Sequence, residues 1–218
     1  MARLSSPAGK IILLIIALIA WSALGLQLHL IILNRITSIP ETIIRYFSFY
    51  TILTNILVAL YVTSLLLKPN SSVAKFLTRS GTVAALALYI TVVGIIYNLI
   101  LRQLWTPAGL QRVADELLHV FVPLLFIFYW IISANKAGLQ WKNVFSWLVY
   151  PFAYMIFVLL RGAFSGFYPY PFINVKTLGY NRVFINSAGL FIVFLFIACL
   201  FVAIAKISGK ETRKKQSI

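Results

Sequence analysis

Apolar residues fill six long stretches of the chain, and shorter stretches that carry charged residues, Gly and Pro separate them. A helix needs about 20 predominantly apolar residues to cross the hydrocarbon core of a bilayer. The pattern therefore predicts an all-α fold, a polytopic bundle of six transmembrane helices. It leaves room for a single transmembrane domain over residues 1–218, with spans at about 11–33, 47–67, 82–101, 117–132, 144–160 and 183–207.

The break after the fifth span contains the run FYPYPF, residues 167–172. We expect this run to be non-helical, because each Pro biases the preceding residue away from the α region. Its aromatic residues suit the headgroup layer of a membrane. The loop is expected to act either as a lid over a site or as an anchor that fixes the fifth and sixth helices.

Composition excludes an ordinary water-soluble domain, since 61% of the residues are hydrophobic, 11% are charged and the mean hydropathy is +0.95. The chain has two His and one Cys, and it has neither an HExxH nor a CxxC motif. We therefore expect no bound metal and no cofactor. Cys199 has no intrachain disulfide partner.

The formal net charge of +15 raises the question of a nucleic-acid partner. The basic residues, however, flank the apolar spans, where they anchor helices against headgroups, so we expect membrane lipid and no nucleic acid as partners. The first apolar stretch follows Arg3 and Lys10 without a cleavage site of the usual kind, and we interpret it as a retained span.

Basic residues also predict the orientation of the chain, because cytoplasmic loops carry an excess of Lys and Arg. With both termini cytoplasmic, the inner face holds twelve of the 19 basic residues, including those of the tail KETRKKQSI. The twelve are Arg3, Lys10, Lys68, Lys75, Arg79, Lys136, Lys142, Lys206, Lys210, Arg213, Lys214 and Lys215.

With this orientation, the strongly polar residues in or beside the spans fall almost entirely in the outer halves of the spans. Ionisable side chains at bilayer depth cost about 2.5–3.5 kcal/mol each, so they tend to face a bundle interior or a water-filled cavity. We therefore expect a polar pocket that opens toward the outer leaflet. Its main residues are Ser48, Thr51, Asn55, Asn98, Arg102, Asp115, Glu116, His119, Arg161, Arg182 and Asn186.

Helical spacing groups several of these residues on shared faces, because residues three and four apart are neighbours on a helix. The groups are Ser48 with Thr51 and Asn55, Asp115 or Glu116 with His119, Asn98 with Arg102, and Arg182 with Asn186.

The chemistry available to such a pocket is that of a hydroxyl, an imidazole and a carboxylate. A hydroxyl becomes a good nucleophile when a base accepts its proton, and His is the usual base. Thr51 or Ser48 can attack a carbonyl with His119 as the base. Asp115 or Glu116 can then hold the tautomer of the imidazole.

Two other interpretations stay open. Ser, Thr and Asn within membranes often hydrogen-bond across helices for about 1 kcal/mol or less, and the carboxylates can simply neutralise nearby arginines such as Arg102, Arg112 or Arg182. Alternatively, the same pocket serves a non-catalytic carrier or receptor for a lipid or small ligand. A proton-coupled transporter that uses Asp115, Glu116 and His119 as a relay is a further possibility.

Four stretches, RYFSFYTILTNILVAL, ELLHVFVPLLFIFYW, YPFAYMIFVLLRGAFSGFYPYPF and GYNRVFINSAGL, resemble a family. They are similar to prokaryotic six-span membrane proteins that are distantly related to the androgen-induced-gene membrane proteins. The eukaryotic group contains threonine hydrolases that cleave fatty acid esters of hydroxy fatty acids with an intramembrane Thr and a His. The resemblance therefore implies a hydrolase with a lipid ester substrate, located in a bacterial plasma membrane.

The resemblance also assigns roles to residues. It places the family's His on His119, within HVFVP, while Ser48 aligns with the nucleophilic Thr and Thr51 is the nearest threonine. The identity of the nucleophile therefore stays open between these two. Arg182, Asn55 or Asn98 would bind the free carboxylate of the substrate or the developing oxyanion.

Overall fold

The computed structural model describes residues 7–133, 136 and 138–216. Within these residues every regular element is a helix, and six helical stretches are long and apolar enough to cross a membrane. This result confirms the predicted all-α class and the number of spans. The six stretches are Pro7–Leu33, Tyr50–Leu67, Ser80–Gln103, Gly109–Ile132, Asn143–Ser165 and Val175–Ile207.

The structure does not describe some of the basic residues that predict the orientation of the chain. Arg3 lies outside the described residues, and the structure does not describe the side chains of the basic tail from residue 208 onward. The cytoplasmic location of both termini stays a prediction.

The chain divides into two compact units, Met1–Gly138 and Leu139–Ile218. The single transmembrane domain expected from the sequence also stays a prediction.

The first unit is built around four membrane-length helical stretches. Its helices are α1 (Pro7–Leu33), α2 (Ile39–Tyr46), α3 (Tyr50–Leu67), α4 (Ser72–Leu77), α5 (Ser80–Leu99), α6 (Gly109–Glu116) and α7 (Val122–Ser133). In this unit α1 packs along α3, α3 packs against α5, and α5 packs against α7. A π-helical turn, Leu117–Phe121, joins α6 to α7, so these three pieces form one continuous span.

The short helices α2 and α4 lie in stretches that the sequence indicated only as breaks. A proline in the first turn starts α2, and Glu41 pairs with Arg45 one turn later at 2.9 Å. The phenol of Tyr46 donates to the carbonyl of Leu24 in α1 at 2.9 Å. Burial raises the pKa of Tyr46 to about 12, so the phenol keeps its proton and can donate. This bond fixes the chain just before α3 begins.

The second unit contains α8 (Asn143–Trp147), α9 (Val149–Ser165) and α10 (Val175–Gln216). Gly166 ends α9 with a φ of +72°, and Gly179 interrupts α10 with a φ of +73°. Residues other than Gly adopt this left-handed backbone conformation only at a cost in free energy, so both helix breaks depend on glycine.

The FYPYPF run between α9 and α10 contains no α-helix, as its prolines predict, although Pro171–Ile173 forms a 3₁₀ turn. The amide of Asn186 donates to the carbonyl of Phe172 at 2.8 Å, which ties this loop to α10. The ring of Tyr168 lies against Gly162 of α9, where a β-carbon would collide with it. Attachment to both helices favours the anchor over the moving lid.

Several boundaries differ from the predicted ones. The fourth span begins at Gly109 instead of residue 117, so Asp115 lies inside a helix. The sixth begins at Val175 instead of residue 183. The second begins at Tyr50, because Phe49 has an extended backbone, and Ser48 therefore lies before the helix. Polar residues near the starts of the fourth and sixth spans conceal these two extensions in the hydropathy pattern.

Candidate functional site

The first unit contains eight of the predicted site residues, namely Ser48, Thr51, Asn55, Asn98, Arg102, Asp115, Glu116 and His119. The second unit contains the other three, Arg161, Arg182 and Asn186. The expected meeting of all six helices in one pocket stays a prediction. The first unit alone supplies the geometry described next.

The proline at position 123 determines the backbone around His119. In the π-helical turn, the N–H of Val122 donates to the carbonyl of Leu117, five residues earlier. Pro123 has no N–H. It therefore cannot donate to the carbonyl of His119, its partner in an α-helix, or to that of Leu118, its partner in a π-helix.

Two asparagines on neighbouring helices donate to these two carbonyls. The amide nitrogen of Asn55 in α3 lies 3.3 Å from the carbonyl oxygen of Leu118 and 2.8 Å from that of Thr51. The amide nitrogen of Asn98 in α5 lies 3.3 Å from the carbonyl oxygen of His119 and 2.8 Å from that of Gly94. We name these two asparagines, with their bonds to Leu118 and His119, the asparagine clamp.

The clamp changes one expectation from the sequence. An amide nitrogen has two N–H groups, and each asparagine uses both of them on carbonyl oxygens. Neither Asn55 nor Asn98 therefore has an N–H left for an oxyanion or a substrate carboxylate. Asn55 is fully buried, and its Oδ1 has no hydrogen-bond partner among the described residues.

A glycine on α5 allows the close approach that the clamp needs. A β-carbon at Gly94 would lie 3.3 Å from both the carbonyl oxygen of His119 and the β-carbon of Pro123. Both distances are shorter than an ordinary van der Waals contact, so a larger side chain at position 94 requires its neighbours to shift. Gly94 carries no signal in the sequence, whereas Pro123 is visible there as the proline of HVFVP, four residues after His119.

His119 itself is 8% exposed, and its Nδ1 lies 2.9 Å from the backbone carbonyl oxygen of Asp115. A carbonyl can only accept a hydrogen bond, so Nδ1 carries a proton, and in the neutral imidazole that burial favours Nε2 then carries the lone pair. The ring stacks on Tyr97 with centroids 3.7 Å apart and planes at 12°. These contacts fix both the tautomer and the orientation of a neutral imidazole.

The carboxylates do not take the role expected of them, because the backbone of Asp115, not its side chain, holds the imidazole. The carboxylate of Asp115 accepts from the phenol of Tyr97 and from the amide of Gln111, each at 3.3 Å. Gln111 also donates to Gln27 in α1 at 2.8 Å. Asp115 thus supports the partner on which His119 stacks. Sequence reasoning missed Tyr97, because a lone Tyr in an apolar span carries no distinctive signal.

Glu116 pairs with Arg102 at 2.8 Å, which agrees with the simple neutralising role considered from the sequence. The guanidinium carbon of Arg102 also lies 5.4 Å from the centre of the Tyr97 ring.

The two candidate nucleophiles differ in position. The hydroxyl of Ser48 donates to the carbonyl of Ile44 at 2.6 Å, ahead of α3. Thr51 is buried in the first turn of α3, and its carbonyl accepts from the same amide that reaches Leu118.

In the second unit, Arg161 donates to the hydroxyl of Ser165 at 3.1 Å and lies over the Phe167 ring. Arg182 is exposed, while Asn186 holds the loop as described above. Within the described residues, no group of three or more His, Cys, Asp or Glu side chains is placed to hold a metal ion.

Comparison of the chain with known protein families, with curated proteins and with solved structures finds no match in any of the three. The fold defines the class of protein, an integral membrane protein with six helices long and apolar enough to cross a bilayer.

The packing at Gly94 gives a testable prediction. We expect Gly94→Val to destabilise the protein by about 1–3 kcal/mol more than Gly25→Val, because only the former forces atoms into a filled space. Gly25 is a matched control, since it also lies within a helix and a β-carbon there meets nothing within 4 Å. Thermal unfolding of the detergent-solubilised variants, followed by circular dichroism, measures the difference. Equal losses in the two variants would contradict the close approach of α5 to His119.

Proposed function

We propose that this protein is a membrane-embedded hydrolase of lipid esters, of the kind in which a fatty acid esterifies a hydroxy fatty acid, with Thr51 as nucleophile and His119 as base. One observation carries the proposal. The Nδ1 of His119 is committed to the carbonyl of Asp115, so a neutral, buried imidazole presents Nε2 as a proton acceptor. The resemblance of the sequence to a family distantly related to threonine hydrolases supports His119 as the base and leaves the nucleophile open between Ser48 and Thr51.

Position favours Thr51 over Ser48 as the nucleophile. Asn55 connects the turn that carries Thr51 to the turn that carries His119, because one amide nitrogen bonds to both backbones. Thr51 also lies in the first turn of α3, where the positive end of the helix dipole stabilises developing negative charge. The hydroxyl of Ser48 instead directs its proton at the carbonyl of Ile44, which cannot take it.

The proposed reaction has two halves. When an ester is bound, the Oγ1 of Thr51 attacks the carbonyl carbon and its proton passes to the Nε2 of His119. Collapse of the tetrahedral intermediate breaks the ester C–O bond, and Nε2 returns the proton to the departing alkoxide. Water then attacks the acyl-threonine with Nε2 again as base, which releases the fatty acid and restores the hydroxyl.

Hydrogen bonds between a nucleophile and its base often tighten only when substrate binds, so the scheme assigns the proton transfer from Thr51 to His119 to the substrate-bound protein.

A second candidate function is non-catalytic binding of a lipid or small ligand, as in a carrier, receptor or transporter. The observation that favours it is the fully buried Oδ1 of Asn55, an acceptor without a hydrogen-bond partner among the described residues, which suits a donor group of a ligand. In that case the buried polar groups would recognise a ligand without breaking a bond.

We further propose a location in the bacterial plasma membrane, with both termini cytoplasmic. The distribution of Lys and Arg along the sequence supports this orientation.

Activity of purified protein on a branched fatty ester tests the proposal. We expect His119→Ala and Thr51→Val each to lower kcat/KM by about 100-fold or more, because each removes one half of the proton transfer. Ser48→Ala should keep most of the activity. His29→Ala is the matched control, since His29 is the other histidine and is exposed on α1.

Equal rates of ester hydrolysis for wild type and His119→Ala would rule out the proposed hydrolase function. Lipid retained through purification, with no turnover of any ester, would favour the binding function instead.

Cysteine labelling tests the orientation. In a Cys199→Ala background, a membrane-impermeant maleimide should label Arg35→Cys in intact cells and Lys68→Cys only after permeabilisation. Both positions are exposed, so accessibility in the protein itself does not limit the reaction. The reverse pattern would place the termini outside the cell.

A further inference from the structure

The asparagine clamp connects three helices at the residue proposed as the catalytic base. Asn55 reaches from α3 and Asn98 from α5, and their targets are consecutive carbonyls of the π-helical turn between α6 and α7. Asparagines that merely joined helices could bond to any exposed polar group. These two bond to the carbonyls that Pro123 leaves without a donor in the α or the π register.

The turn held in this way also sets the imidazole. The Nδ1 of His119 bonds to the carbonyl of Asp115, which lies one turn earlier on the same chain segment. A shift of the π-helical turn would move the ring relative to that carbonyl and to Tyr97, on which the ring stacks. The orientation of Nε2 therefore depends on where the clamp holds the backbone.

We infer that Asn55 and Asn98 are positioning residues for His119, which act on the base through the backbone carbonyls that Pro123 cannot serve. They touch no reacting atom, because their N–H groups are fully used on carbonyl oxygens. The catalytic part of this inference rests on the proposed hydrolase, whereas the dependence of the clamp on Pro123 does not.

A double-mutant cycle tests the dependence. Pro123→Ala restores a backbone N–H and keeps the β-carbon that contacts Gly94. In an α register the new N–H serves the carbonyl of His119, and in a π register it serves that of Leu118. Asn55→Leu and Asn98→Leu should each lower Tm in the protein that keeps Pro123. At least one of the two losses should shrink clearly in the Pro123→Ala background.

Asn186→Leu is the matched control for this cycle. Its amide also donates to a backbone carbonyl, that of Phe172, so its loss should lower Tm equally with and without the Pro123→Ala substitution. If each of the two clamp substitutions also lowers Tm by the same amount in both backgrounds, the bonds of the clamp are unrelated to the proline and the inference is wrong.

Rescue of turnover tests the positioning role. The asparagine variant whose Tm loss shrinks should have a lower kcat with an unchanged KM, and adding Pro123→Ala should recover much of that kcat. A kcat that stays low after the Tm has recovered would overturn the positioning role. If wild type hydrolyses no ester, the proposed function fails, while the Tm cycle still decides whether the clamp depends on Pro123.

Discussion

A missing N–H at position 123 is the constraint on which the rest of the first unit depends. In hydrocarbon, a carbonyl without a donor costs free energy that no water repays. Pro123 leaves one such carbonyl in either register, that of His119 in an α-helix or that of Leu118 in a π-helix, and side chains of α5 and α3 donate to these two carbonyls. The proline thus favours a polar residue at a defined position on each of two other helices.

A neutral tautomer explains why an ionisable side chain is buried here. His119 is neutral in its Nδ1–H tautomer, and its ring is held both by the hydrogen bond to Asp115 and by stacking on Tyr97. A neutral imidazole in a water-poor bundle is a far cheaper group to bury than an ion. It also keeps one nitrogen available as a base, which joins the stability of the fold to the proposed chemistry.

Apolar runs were enough to predict the six helices, because a bilayer requires about 20 apolar residues per crossing and little else. The importance of His119 was also visible, since ionisable residues at that depth are rare. The short helix α2 was hidden, because its eight residues mix polar and apolar side chains over only two turns. The π-helical turn and its two donors were hidden for another reason: they depend on contacts between Pro123, Asn55 and Asn98, which are far apart in sequence.

Nitrogen NMR measures directly which ring nitrogen of His119 carries the proton. The chain has only two histidines, so ¹⁵N-histidine-labelled protein in lipid nanodiscs gives few signals, and a His29→Gln variant assigns them. At neutral pH we expect His119 to have a protonated Nδ1 and an unprotonated Nε2. A ring protonated at Nε2, or at both nitrogens, would contradict the bond to Asp115 and remove the proposed base.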